Sequence, residues 1–111
     1  MTKFIQDGGS VDYTPGSAKT AGDVVVQNDL VGVVKRDIAA NELGSLAIEG
    51  VYDFPKATGG GTAIAAGKPV YYDVAEDVAK EDAESGANKL IGKTVLAAAD
   101  ADTTVRVRLL Q

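Results

Sequence analysis

Residues 21–34 read Ala-Gly-Asp-Val-Val-Val-Gln-Asn-Asp-Leu-Val-Gly-Val-Val, and both ends of this stretch recur later in the chain. The first end is echoed by Ala-Gly-Lys-Pro-Val-Tyr at residues 66–71, and the second by Leu-Ile-Gly-Lys-Thr-Val at residues 90–95. An Ala-rich turn and an alternating segment follow each copy, the segments being residues 45–49 and 104–108. Two copies of one short β-unit predict an all-β fold, a small β-barrel or β-sandwich with a duplicated unit. Chance similarity among Val, Ala and Gly is the alternative.

Short β-rich segments bounded by Gly, Asn or Asp follow one another from residue 24 onward and predict strands. Val105, Val107 and Leu109 alternate with arginines, which predicts a strand with one buried face. Pro55 cannot donate to a sheet ladder, so its strand ends there or lies at an edge. The predicted strand segments are residues 24–27, 30–38, 45–54, 70–73, 90–97 and 103–110.

Four glycines of the echo are predicted to be structural, at turns or within strands: Gly22, Gly32, Gly67 and Gly92. Gly92-Lys93-Thr94 resembles the end of a phosphate-binding P-loop. That motif needs a glycine where Ala87 stands, and it must open a helix rather than a strand. The sequence therefore predicts a buried strand glycine at position 92.

Two regions leave alternatives open. Residues 74–88 fit either a short solvated helix or a turn at residues 75–77, a short strand at 78–80 and a loop through Gly86; the thin apolar stripe favours the second. Residues 1–20 carry Gly-Gly and Thr-Pro-Gly punctuation around two short apolar groups. They are interpreted as an extended N-terminal arm before a domain of residues 21–111, or equally as a first barrel strand with loose ends.

Composition excludes several classes of function. The 111-residue chain has a net charge of −5, which disfavours nucleic acid as a partner, and its longest apolar runs are too short to span a membrane. It contains no histidine and no cysteine, so Ser-His and Cys-His nucleophile systems are excluded. The remaining carboxylate pairs lack calcium-loop spacing. We therefore expect no enzyme activity, no cofactor and no metal; a carboxylate-dependent hydrolase would need a deep acidic pocket that nothing in the sequence predicts.

Several motifs, in order along nearly the whole chain, resemble the DUF2190-type capsid cement, or decoration, proteins of tailed bacteriophages. The most specific are Glu49-Gly50-Val51-Tyr52-Asp53-Phe54-Pro55-Lys56 and the ending Val105-Arg106-Val107-Arg108-Leu109. Others are Phe4-Ile5-Gln6, Ala21-Gly22-Asp23-Val24-Val25, Leu30-Val31-Gly32-Val33, Gly67-Lys68-Pro69-Val70-Tyr71-Tyr72-Asp73 and Leu90-Ile91-Gly92.

The resemblance implies a virion protein, made in the host bacterial cytoplasm, that binds the outer surface of the assembled head and stabilises it. Its implied partners are the major capsid protein and further copies of itself, commonly as a homotrimer. The arm is the hypothetical capsid-binding segment, through Lys3, Phe4, Ile5, Val11 and Tyr13. The alternative is a β-barrel adaptor or assembly chaperone that does not remain on the particle.

Overall fold

The computed structural model describes residues 2 and 9–110. Strands dominate this part of the chain, and its helical structure is one 3₁₀ turn at Glu84–Gly86. The strands are β1 (Ser10–Tyr13), β2 (Val24–Gln27), β3 (Leu30–Val34), β4 (Gly44–Ala47), β5 (Gly50–Pro55), β6 (Pro69–Asp73), β7 (Val78–Lys80), β8 (Lys89–Thr94) and β9 (Thr104–Leu109).

The first sheet has the strand order β1-β4-β3-β2 and belongs mainly to a compact unit of residues 1–25 and 32–49. Val11 pairs with Leu46 and Val34 pairs with the same residue from the other side. The apolar side chains of these strands form a small core in which Val11 and Tyr13 are partly buried. Its buried members are Val25, Val34, Ile38 and Leu46.

The second sheet has the order β5-β9-β8-β6-β7 and belongs to a unit of residues 26–31 and 50–111. Val105, Val107 and Leu109 of β9 are buried and its arginines are exposed, so the predicted alternation is confirmed. Each such fully buried aliphatic side chain contributes about 1.5–3 kcal/mol. Pro55 is the last residue of the edge strand β5, which satisfies both options predicted for it. The all-β prediction is confirmed, and two separate antiparallel sheets fit its sandwich option rather than a closed barrel.

The echo in the sequence corresponds to a repeated topology. In each sheet the first strand pairs with the fourth, the fourth with the third and the third with the second, so β5, β6, β8 and β9 repeat the pairing of β1 to β4, and β7 is an addition. Matching hydrogen bonds close both copies: Gly22 N–H donates to Val34 O at 2.7 Å, and Gly67 N–H donates to Thr94 O at 2.8 Å. The repeat thus includes β1, so Ser10–Tyr13 forms a first strand; how the remainder of residues 1–20 behaves on a capsid stays a prediction.

Three segments differ from the sequence-based boundaries, and one of them, the strand predicted at residues 90–97, ends at Thr94. The predicted strand at residues 45–54 is two strands, β4 and β5, because Gly50 has a φ of +125° and turns the chain between the sheets. The predicted strand at residues 30–38 ends at Val34, and Ile38 makes an isolated bridge with Lys19.

The β-turn-β interpretation of residues 74–88 is confirmed. β6 and β7 pair antiparallel, with Asp73 opposite Val78. Asp77 has a φ of +59° in the connecting turn, and the following loop contains the 3₁₀ turn. Within Val78–Lys80 only the central Ala79 is buried, which is the two-residue alternation of a strand.

The echoed glycines occupy two kinds of position. Gly22 and Gly67 lie in turns with φ of +94° and +79°, a conformation that favours glycine. Gly32 and Gly92 lie within β3 and β8 and are buried. A Cβ at Gly92 would lie 1.9 Å from the Arg108 carbonyl oxygen, so this position requires a close backbone approach, not a phosphate loop.

Candidate interaction surface

The exposed face of the second sheet carries a row of side chains that crosses four strands. Val51 pairs with Arg108, Arg108 with Lys93, and Lys93 with Pro69. All four residues are exposed, Val51 to 55%. Because directly opposite residues point to the same side of a sheet, the row places two adjacent cations between two apolar side chains.

The neighbouring row is electrically balanced. Arg106 pairs with Asp53 across β9 and β5, and its guanidinium donates to the carboxylate at 2.9 and 3.3 Å. The hydrogen bond from Arg106 lowers the pKa of Asp53, and the same bond raises the pKa of Arg106. Val95 lies beside this pair, exposed to 42%, with its N–H bonded to the Arg106 carbonyl. Because solvent screens an exposed pair of this kind, it contributes little to stability.

We call the two rows together the basic face. Three cations and a single carboxylate lie on it, although the whole chain has a net charge of −5. Within residues 9–110, neither Lys93 nor Arg108 has a carboxylate at ion-pair distance. The basic face consists of Val51, Asp53, Pro69, Lys93, Val95, Arg106 and Arg108.

The basic face is specific to the second copy of the repeat. In the first unit the residues that occupy the positions of Arg108 and Lys93 are Ala47 and Val33, which form the corresponding pair between β4 and β3. Both are buried. The duplicated strands therefore keep their pairing, but the equivalent positions are exposed in the second copy and buried in the first.

A second polar cluster fastens the β6–β7 turn. Lys80 contacts the carboxylates of Asp73 at 3.0 Å, of Glu84 at 3.8 Å and of Glu76. The pKa of Asp73 is lowered to about 2, mainly by the hydrogen bond from the Glu76 backbone N–H and next by the hydrogen bond from Lys80. The hydrogen bond from Lys80 to the Glu76 carboxylate is the main cause that raises the pKa of Lys80. The three carboxylates lie close enough together to share a cation. The Lys80 ammonium already supplies that positive charge, so the arrangement acts as an ion-pair network for the turn.

A buried lysine holds together the loops at one end of the second unit. Lys56 is 5% exposed, and its ammonium donates to Ala57 O at 2.9 Å and to Thr62 Oγ1 and Asp102 O at 3.3 Å. It lines a cavity of about 250 Å³ together with residues 61–64 and 79–82. All three ammonium protons are used by neutral oxygens, so Lys56 has a structural role.

The candidate residues chosen from the sequence are only partly described. Lys3, Phe4 and Ile5 lie outside the described residues. Val11 and Tyr13 belong to β1 and pack against the core of the first unit. Their capsid contact stays a prediction, and their packing gives them a structural role as well.

Sequence reasoning missed the row through Lys93 and Arg108. Alternation in β9 indicated that Arg106 and Arg108 share a face, but nothing in one strand shows which residues lie opposite. Lys93 was interpreted only as part of a false P-loop motif. The signal that could have found the row is the echo itself, because Lys93 replaces the apolar Val33 at the same position of the repeat.

Comparison with known proteins gives one match. The family model of phage cement proteins matches residues 5–109, which include both sheets and the basic face. No curated protein and no solved structure matches the chain. No helix in the described part of the chain is long and apolar enough to cross a membrane.

Proposed function

This chain belongs to the phage cement protein family, and from that premise we propose that it contacts the major capsid protein on the outside of the assembled head as a homotrimer. Its function is capsid decoration. The observation that carries this conclusion is the family match over residues 5–109, which leaves no described strand outside it. We also propose that it belongs to the DUF2190-type group, is made in the host cytoplasm and catalyses no reaction.

The physical chemistry of the chain supports these finer proposals. A net charge of −5 opposes binding to nucleic acid and to anionic membrane surfaces. Closed rings use heterologous contacts without open-ended growth, which favours a trimer at a threefold position. A protein that binds only the assembled lattice stabilises it by mass action, and many modest contacts repeated over one lattice slow its rupture.

The test compares heads with and without this protein. We expect decorated heads to rupture at a higher temperature than bare heads, because each bound copy must dissociate or deform before the shell opens. Rupture is measured by the release of packaged DNA during heating. The protein should also remain on particles through density-gradient purification. Identical rupture temperatures together with loss of the protein on purification would contradict the proposal and favour the adaptor or assembly chaperone.

Deletion of residues 2–8 tests the arm. It removes Lys3, Phe4 and Ile5 but leaves β1, whose Val11 and Tyr13 pack in the core. We expect roughly tenfold weaker binding to heads, which is about 1.4 kcal/mol, with an unchanged unfolding midpoint. Deletion of residues 2–13 is the comparison, and it should also destabilise the first unit. Equal binding by the shorter truncation would show that the arm makes no capsid contact.

A further inference from the structure

We propose that the basic face docks on an acidic protein surface of the capsid shell, with Lys93 and Arg108 at the centre of the contact. This inference rests on the proposed function, because it takes the shell as the partner. It adds which side of the chain meets the shell and what chemistry the shell offers there.

The first argument is the repulsion between two adjacent cations, which destabilises the sheet and has no role in its folding. Lys93 and Arg108 are directly opposite each other on adjacent strands. Like charges in that arrangement destabilise a sheet, whereas opposite charges stabilise it. The next row shows the remedy, since Asp53 neutralises Arg106. The row through Lys93 has no such carboxylate within residues 9–110, which indicates that its positive charge is kept for an external partner.

The second argument is the composition of the row. Val51 and Pro69 flank the two cations and are exposed. Protein interfaces combine such apolar contact with arginine side chains that bind carboxylates in bidentate geometry. Carboxylates of the shell placed between Lys93 and Arg108 would remove the repulsion between these two cations. Binding is therefore more favourable than the sum of the contacts that each cation would make separately.

The third argument is charge complementarity. The rest of the chain is more acidic than the whole, so an acidic shell repels the other surfaces and attracts this one. Such a distribution orients the protein during encounter. A second copy of the chain is a poorer partner for this face, because in its densest acidic segment Asp73, Glu76 and Glu84 already surround Lys80.

The experiment separates binding from stability. In Lys93→Glu the new carboxylate faces Arg108, so the isolated protein should unfold at an equal or higher urea concentration than the parent. Its binding to bare heads should be at least tenfold weaker, and its affinity should depend less on salt because a cation of the contact is lost. Lys93→Gln removes the charge without reversing it and should give an intermediate loss of affinity.

Lys35→Glu is the matched control. Lys35 is an exposed lysine of the first unit, so the substitution changes the net charge equally without touching the basic face. It should bind heads as the parent does. Equal losses for the variants at 35 and 93 would mean that only net charge matters, and would overturn the proposal.

Three other results also decide the question. If the parent binds heads and Lys93→Glu binds equally well, the basic face is not the docking surface, although the proposed function stands. If the parent itself does not bind heads, the proposed function fails. If Lys93→Glu abolishes self-association in sedimentation velocity but leaves head binding unchanged, the partner of the face is a second copy and the proposal is wrong.

Discussion

Replacing Gly92 with alanine is expected to lower the free energy of unfolding by about 3 kcal/mol, the upper end of the usual cost of overpacking. The new Cβ would lie 1.9 Å from the Arg108 carbonyl oxygen and 3.1 Å from the Leu110 backbone nitrogen. These are backbone atoms of β9 and of the residue that follows it, and they cannot move without separating β8 from β9. The loss is a large fraction of the 5–15 kcal/mol that usually stabilises a domain.

Urea denaturation followed by circular dichroism measures this effect, with two control glycines. Gly60→Ala should be nearly neutral, because nothing lies within 4 Å of its Cβ position and its φ is not in the left-handed region. Gly32→Ala should lie between the two, because its nearest atoms belong to the Leu46 side chain, the closest at 2.9 Å. A Gly92→Ala protein with the parent's midpoint would show that β8 and β9 do not approach as closely as described.

Replacing Lys56 with methionine is expected to lower the free energy of unfolding by about 2 kcal/mol. Methionine keeps most of the apolar stem but leaves the carbonyls of Ala57 and Asp102 and the hydroxyl of Thr62 without their donor. Removing a buried charge offsets part of this loss. The adjacent cavity of about 250 Å³ has room for water, which limits the penalty further.

Thermal unfolding of Lys56→Met should show a midpoint lower by roughly 8 °C for a chain of this size. Lys35→Met, at an exposed lysine, is the control and should unfold within roughly 2 °C of the parent. Thr62→Val removes one of the acceptors, so combining it with Lys56→Met should cost less than the sum of the two changes. Fully additive losses would mean that Lys56 and Thr62 act independently.

The specific motif Glu49–Lys56 can now be explained residue by residue. Gly50 turns the chain with a φ of +125°, and Phe54 is buried and meets the Tyr52 ring edge-on at 6.5 Å. Asp53 binds Arg106, and Lys56 ties the loops together. Most of the motif therefore maintains the second sheet, and only Val51 takes part in the row of exposed cations.

The predictable part of the fold was the part with local signals. The Gly-centred strands of the echo and the turn at residues 75–77 have distinctive residues at short spacing, and both are confirmed. The relation of β1 to β5 escaped notice because Val-Asp-Tyr and Tyr-Asp-Phe share only the aspartate. Different apolar residues on either side of the aspartate can pack in the same strand, so the two copies share a structure without a recognisable sequence similarity at this strand.

The candidate surface could not be predicted because it depends on register. When the last strands of the two copies are aligned by sequence, Ser45 is equivalent to Thr104. The strand pairing within the two sheets instead makes Ser45 equivalent to Arg106. A shift of two residues keeps every side chain on its own face, so alternation alone cannot detect it. It does change which residues lie opposite, and therefore which charges meet.

In both sheets, the strand that comes last in the chain lies between two earlier strands: β4 separates β1 from β3, and β9 separates β5 from β8. During synthesis the first sheet can be completed once residue 47 has left the ribosome. β5 gains β9, the strand with which it pairs, when residues 104–109 appear. Long-range pairing of this kind folds slowly. A polypeptide cut short before residue 104 would lose β9, an interior strand of its second sheet and not an edge, and β5 would lose its pairing partner.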